Sequence, residues 1–454
     1  MEAVKNRGAN EDVHQFDRNR FIANPFPKDP PALSPLALLN PRETQTLKDR
    51  MSHAWEQILR QTDPQKEKDY TIYTGSAGIG YLALHSALLV ESADPRRRHF
   101  VDIAGNYLRG AQATLEGRLR QGRHEDISFI LGTPGVYAPL AVLRRLQGKS
   151  NDAVEACIQR VLDLAPLFLN QTHHHPRRQH PHYEFEILYG ESGYLTSLLY
   201  LNSNFPGRIP DQLLSEVTDH IISGAEEGPG GALLWAWHGK EYLGAAHGVS
   251  GILLALLDAH LQGLRLPDVV LERIQCTVNY LYSLRLPSGN YPTRPSKECD
   301  DRLVQWCHGA PGILLLFVKA YEVFGQPKYL AWAELAADVV WMRGLLRKGN
   351  GLCHGVAGNA YCFLAVFRCT DNDIYLHRAR VFALAAQDDI VAAHQDTPDH
   401  PMSLFEGLGG LLALYADLLE GDPREALFPA FETRGVRSGT GISHKEESYG
   451  DGEA

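Results

Sequence analysis

Long apolar runs are scarce in this 454-residue chain. The longest, such as Gly312-Ile313-Leu314-Leu315-Leu316-Phe317-Val318, fall far short of the roughly 20 residues that cross a bilayer. A surplus of basic charge is missing too. The 44 Lys and Arg against 54 Asp and Glu are scattered and give a formal charge of -10, with no basic face for nucleic acid or anionic lipid. The first twenty residues are polar, without a secretory apolar stretch, and Glu2 stands where myristoylation needs glycine. Cys-x-x-Cys pairs are absent, and seven cysteines, an odd number, fit reduced thiols better than a disulfide framework. The Asn170-Gln171-Thr172 sequon then has no role. These absences predict a soluble cytoplasmic protein with no transmembrane segment and no nucleic-acid partner, and they leave room for peripheral association at the plasma membrane.

What is present is a repeat. Seven Gly-x-x-Gly turns run into apolar segments, their second glycines being Gly78, Gly135, Gly193, Gly251, Gly312, Gly358 and Gly410. Each interval holds a second helical pattern, for example Ile274, Val278 and Leu281. No stretch alternates apolar and polar residues long enough to propose a sheet. Helical hairpins repeated seven times give an open solenoid or a closed ring. Segments after the glycines are apolar nearly all round, as in helices buried on both sides, and the intervening ones are amphipathic. A closed ring is therefore expected, with an inner barrel, an outer layer and all seven turns at one end. Residues 1–40 read as an extended, proline-rich arm, 41–433 as the helical body, and 434–454 as a disordered tail.

Two of the turns carry Cys-His pairs, Trp306-Cys307-His308-Gly309 and Leu352-Cys353-His354-Gly355. Structural zinc sites close four positions from local spacing, whereas catalytic ones gather three ligands from separate elements and leave the fourth open. The pairs read as a metal site of the second kind, and either histidine could serve. His247 and Glu406 precede their glycines in the same way, so they would converge with the pairs. Glu406 reads first as a helix cap and second as a pocket wall. Cys157, Cys276, Cys362 and Cys369 read as core residues and Cys299 as a loop thiol. The tract from His173 to His182 reads as a surface loop rather than a metal site.

Seven such hairpins, with Trp306-Cys307-His308-Gly309 in the fifth and Cys353-His354-Gly355 in the sixth, resemble the eukaryotic lanthionine synthetase C-like (LanC-like) proteins. The likeness extends to Asn24-Pro25-Phe26, Gly244-Ala245-Ala246-His247-Gly248, Ser288-Gly289-Asn290-Tyr291-Pro292, Ser403-Leu404-Phe405-Glu406-Gly407 and Phe428-Pro429-Ala430-Phe431. The resemblance implies an all-α fold, an α/α toroid of two concentric seven-helix layers. It implies one zinc ion per chain held by Cys307, Cys353 and His354, with His308 not a ligand. It further implies addition of the glutathione thiol to dehydroalanine or dehydrobutyrine residues of proteins or peptides, with His247 as the acid that protonates the resulting enolate. Lys348 matches a glutathione-contacting lysine, and Arg20 matches an arginine of the arm. A family Arg-Thr-Pro-Asp stretch that contacts glutathione reads here Asp396-Thr397-Pro398-Asp399, an acid in place of a cation. Glu191 likewise stands where relatives often carry a basic residue.

Zinc chemistry suits this reading, because a free thiol with pKa near ~8.5 is mostly protonated at neutral pH. Coordination supplies the reactive anion. Two other readings compete. One is a non-catalytic, zinc-containing glutathione-binding or signalling adaptor, motivated by Asp396 and Glu191. The other, by fold analogy alone, is a glycosidase; that chemistry needs two flanking carboxylates, and these turns offer thiols and imidazoles.

Overall fold

The computed structural model describes residues 20–26, 41–170, 184–295 and 301–433. The remainder of the expected arm, the His173 to His182 tract, Cys299 and the expected tail lie outside the described residues. Among the described residues, helices of twelve or more residues alternate between two layers. The outer layer begins with α1 (Pro41–Gln61), whose Leu47, Met51, Ala54, Trp55 and Ile58 make one buried stripe. The inner layer begins with α2 (Ser76–Leu89), buried on most of its circumference. The outer α3 (Pro95–Arg120) starts with a proline in its first turn and an Asp94 cap that accepts from the Arg96 N–H. Arg118 and Arg120 stand in its last turn, where cations oppose the helix dipole.

The pattern continues with inner α4 (Pro134–Leu146) and outer α5 (Asn151–Leu162), then inner α6 (Glu191–Asn204) and outer α7 (Asp211–Ser223). Inner α8 (Val249–Leu261) and outer α9 (Asp268–Ser283) follow, then inner α10 (Ala310–Phe324) and outer α11 (Pro327–Arg343). Inner α12 (Val356–Thr370), outer α13 (Asp373–Ala385) and inner α14 (Leu408–Leu419) complete the set. Each inner helix packs on the next, and α14 packs back on α2, so the seven close a ring. In the outer layer α13 meets α1, which lies against α14. The fold is an α/α toroid. One departure from the sequence reading is a small antiparallel pair, β1 (Glu226–Glu227) and β2 (Leu233–Leu234), between α7 and α8. Two-residue strands are too short for periodicity to reveal.

The marker glycines share one contact. A Cβ on any of the seven would come within 1.9 to 2.7 Å of the carbonyl oxygen six residues earlier, on Ile72, Phe129, Ile187, Ala245, Trp306, Leu352 and Leu404. The incoming loop therefore lies flat on the first turn of its inner helix, and only glycine leaves room for it.

At the lumen, Phe428 and Phe431 pack on Trp306 with ring centroids 5.5 and 5.2 Å away. The same segment bonds four inner helices. The Ala430 N–H donates to Tyr81 Oη, Thr433 to Asp258, and Glu432 pairs with Arg368 at 2.7 Å and approaches Lys319. Lys319 in turn holds Asp258 at 2.9 Å and Glu322 at 2.8 Å. Burial works against charge on Glu322, but Lys319 and Arg368 outweigh it and hold the carboxyl at about 2.

Gly135→Ala should destabilise the protein, because the added methyl meets the Phe129 carbonyl at 2.3 Å. Gly117→Ala, inside α3 with nothing within 4 Å, should stabilise by about 0.5–1 kcal/mol. Thermal melts of the two variants should move in opposite directions. The depressed carboxyl of Glu322 contributes stability above its ordinary 4.5 that is lost as pH falls toward about 2. Glu322→Gln should therefore cost about 1–3 kcal/mol at neutral pH, since Lys319 keeps Asp258 and Arg368 keeps Glu432, and should flatten the melting curve's dependence on pH in that acid window.

Candidate metal centre and its surroundings

The flattened loops put their chemistry in register. Five residues before the marker glycines stand Tyr73, Cys307, Cys353 and Phe405; four residues before stand His247, His308, His354 and Glu406. The loops are joined by backbone hydrogen bonds. Cys307 N–H donates to the Cys353 carbonyl (3.4 Å), Cys353 to Phe405 (2.8 Å) and Phe405 to Tyr73 (3.1 Å). This strip of main chain makes Cys307 and Cys353 neighbours although separate hairpins carry them.

The sulfurs of Cys307 and Cys353 and a ring nitrogen of His354 all lie within 4.8 Å of one another. Both cysteines are buried and free of disulfides. Burial first, and Cys307 second, push the Cys353 thiol well above its ordinary range, while His354 works the other way. Two adjacent thiolates in a dry setting need a cation to offset them, and two sulfurs with one imidazole are the donor set that a soft, tetrahedral ion accepts. The residues fit a zinc ion. Tyr73 completes the wall beside the two cysteines, its ring stacked on Phe405 at 5.0 Å. Burial, followed by the two sulfurs, raises the Tyr73 phenol far above its ordinary value, so it is a neutral donor.

The Cys307 loop is pinned from outside. Fully buried Asn290 accepts from the Ala310 N–H at 2.9 Å and donates to the Leu303 carbonyl at 3.0 Å, so it spans the turn. Asn359 donates to the Val304 carbonyl at 3.0 Å. Gly309, at φ 97°, takes a conformation open to glycine.

His247 opens the neighbouring turn, just before α8, and a Cβ on Gly244 would touch the Cys307 carbonyl at 2.1 Å. Its Nδ1 lies 2.8 Å from Glu186, a buried carboxylate that also accepts the N–H groups of Leu188 and Tyr189 at 2.9 and 2.5 Å. Nδ1–H therefore donates to Glu186, and Nε2 is the nitrogen left for chemistry.

The residues matched to glutathione contacts are gathered by main chain. Arg347 N–H donates to the Arg20 carbonyl (3.1 Å), and the Arg347 carbonyl accepts from Asp396 N–H (2.6 Å). Arg20, Lys348, Asp396, Thr397 and Asp399 are exposed, and Pro398 lies against Gly349. Lys348 enters the Cys353 loop directly. A cavity of about 200 Å³ beside the Tyr73 loop is lined by Asp63, Glu67, Thr74, Ser76 and Asp399, among others.

Two expectations change. Glu406 does not cap its helix: no side chain caps α14, and Glu406 Oε2 is buried without a hydrogen-bond partner. Cap geometry requires the residue next to the helix, and Gly407 holds that position. Glu191 is 2% exposed and bonds His220 of α7 at 2.7 Å, so its charge is directed into the interlayer packing. Sequence reasoning missed Tyr73, Glu186 and Asn290. Aligning all seven loops on their marker glycines places Tyr73 in the column of the two cysteines; Glu186 and Asn290 carry no such signal.

The family described as "Lanthionine synthetase C-like protein" matches residues 66–433. "Glutathione S-transferase LANCL1" of Danio rerio is 37% identical over 391 residues, covering 83% of this chain and 88% of that protein. "LanC-like protein GCL1" of Arabidopsis thaliana is 33% identical over 383 residues, covering 80% and 81%. The solved structure titled "Nisin cyclase" superposes with a TM-score of 0.62 at 16% identity, over 83% of this chain and 94% of its own. At that identity the likeness speaks for the fold.

Asn290→Ala should strand the Ala310 N–H and the Leu303 carbonyl, costing about 1–3 kcal/mol. It should also speed the reaction of Cys307 with a thiol reagent in the metal-free protein, whereas the same change at exposed Asn106 or Asn151 should leave that rate alone.

Proposed function

This chain belongs to the lanthionine synthetase C-like family, and from that membership we propose that it is a zinc-dependent glutathione transferase that adds the glutathione thiol to dehydroalanine or dehydrobutyrine residues in proteins. The observation that carries the reading is the convergence of Cys307, Cys353 and His354 from two separate hairpins. Three protein ligands drawn from two loops leave a coordination position for an incoming group. When bound, zinc would supply a redox-inert, borderline-soft cation that lowers the pKa of a coordinated thiol.

The chain's own residues supply the rest. Thiol addition at Cβ leaves an enolate, which must be protonated on Cα. His247, with Nδ1–H fixed on Glu186, offers Nε2 to hold and deliver that proton. Lys348 and the Arg20 side of the loop cluster offer cations to the tripeptide's two carboxylates. Asp396, whose main chain is joined to Arg347, and the cavity residue Asp399 offer a partner to its α-ammonium. On this account Asp396 reorients a zwitterionic ligand rather than repelling it.

The second reading, a glutathione-binding or signalling adaptor that keeps zinc without turnover, is favoured only by Asp396, an exposed anion where the resemblance leads to a cation.

The test is zinc quantification together with mass spectrometry of a dehydroalanine peptide incubated with glutathione. One zinc per chain and a thioether adduct are expected from the wild type. Cys307→Ala should lose both, and His247→Asn should keep zinc while slowing addition by roughly 10²–10⁴-fold. Full zinc occupancy with no adduct above the uncatalysed rate would replace the transferase with the adaptor, and Asp396→Arg would then be expected to tighten glutathione binding.

A further inference from the structure

The segment joining α7 to α8 carries the β1–β2 pair. After β2 the chain makes a tight turn in which Trp237 and Lys240 exchange both backbone hydrogen bonds, at 2.9 and 3.0 Å. The two residues between them, His238 and Gly239, have φ of 48° and 71°. Positive φ at both central positions is the geometry of a type I′ hairpin turn. The base is tied down as well: Leu233 N–H donates to Thr277 Oγ1 of α9 at 2.8 Å, and Trp235 Nε1 donates to the Ile221 carbonyl of α7 at 2.8 Å.

This scaffold lays one side chain on the candidate acid. The Trp237 ring is parallel to the His247 imidazole within 9°, with centroids 3.8 Å apart. Tyr189 is parallel to both rings at greater offset, within 12° and 7°. Tyr242 stands edgewise to Trp237 and lies between His247 and His308, with Arg294 above its ring. A hydrogen bond to Glu186 fixes one end of an imidazole but leaves its plane free to tilt about that bond. A large aromatic face in van der Waals contact removes the remaining freedom.

We infer that Trp237 is a positioning residue for carbon protonation: stacked on His247, it fixes the imidazole plane so that Nε2 faces a single side of the enolate. This rests on the transferase reading. The thiol first loses its proton to solvent; as the thiolate's electron pair forms the new bond to Cβ, the alkene pair moves onto the carbonyl as enolate. The proton on His247 Nε2 then forms the Cα–H bond, and the imidazole is reprotonated from solvent. A held acid delivers to one face and sets one configuration at Cα; water delivers to both.

The experiment compares wild type, Trp237→Ala and Trp237→Phe, reading the configuration at Cα of the glutathione adduct by chiral chromatography. Imidazole C–H resonances of His247 are recorded in parallel. Wild type should give one diastereomer, with His247 resonances shifted upfield by the indole. Trp237→Ala should give both diastereomers, addition slowed by about tenfold or more, unchanged metal content, and resonances moved downfield. Trp237→Phe should restore the single diastereomer. A Trp237→Ala enzyme that keeps one diastereomer at the wild-type rate would overturn the inference, as would unshifted His247 resonances in the wild type. If the wild type forms no adduct, the transferase reading fails instead, and the resonances alone decide whether the stack holds the ring.

Discussion

The contact between a marker glycine and the carbonyl six residues before it is the constraint from which the rest of this molecule follows. It occurs seven times, always where an extended loop turns into an inner helix. Because it flattens the loop onto the helix start, it sets side chains four and five residues earlier at one end of the ring. Without it, Cys307 and Cys353 would belong to two unrelated loops. With it, their loops share a strip of backbone hydrogen bonds that continues through Phe405 to Tyr73.

The opposite side of the same loops is braced by the C-terminal segment. Trp306, next to Cys307 and fully buried, meets Phe428 and Phe431, and these are anchored through Glu432 and Thr433 to a buried network of Lys319, Arg368, Asp258 and Glu322. Buried ion pairs of this kind add little net stability compared with apolar packing, but they are unforgiving of a missing partner. Their effect here is to fix where the segment lies. The Cys307 loop is thus held between main-chain bonds, Asn290, and an aromatic floor, which is how a site can be made rigid without being made of long secondary structure.

Much of this was legible in the sequence because it is local. A seven-fold glycine repeat, an apolar segment after each glycine and an amphipathic one between them are patterns within a window of a few turns, and they lead to a closed helical ring. The Cys-His pairs were legible for the same reason. What escaped notice depends on distance in the chain. Glu186 and His247 are 61 residues apart, and nothing in the run Phe185-Glu186-Ile187 marks its carboxylate as the support of an imidazole. Tyr73 was reachable by aligning the loops column by column. Trp237 was not, since its position depends on an appended two-residue turn. Glu406 misled because its place in the repeat resembles a cap, whereas the cap position itself belongs to Gly407.

We propose that this end of the toroid presents a metal with a position open to a thiol. X-ray absorption at the zinc edge, recorded on the loaded protein with and without glutathione, tests it most directly. Two sulfur and one nitrogen neighbours from the protein are expected, with a third sulfur joining when glutathione is added; Cys307→Ala should lose the ion and with it all three. A zinc shell unchanged by glutathione, or zinc bound with no sulfur neighbour, would contradict it.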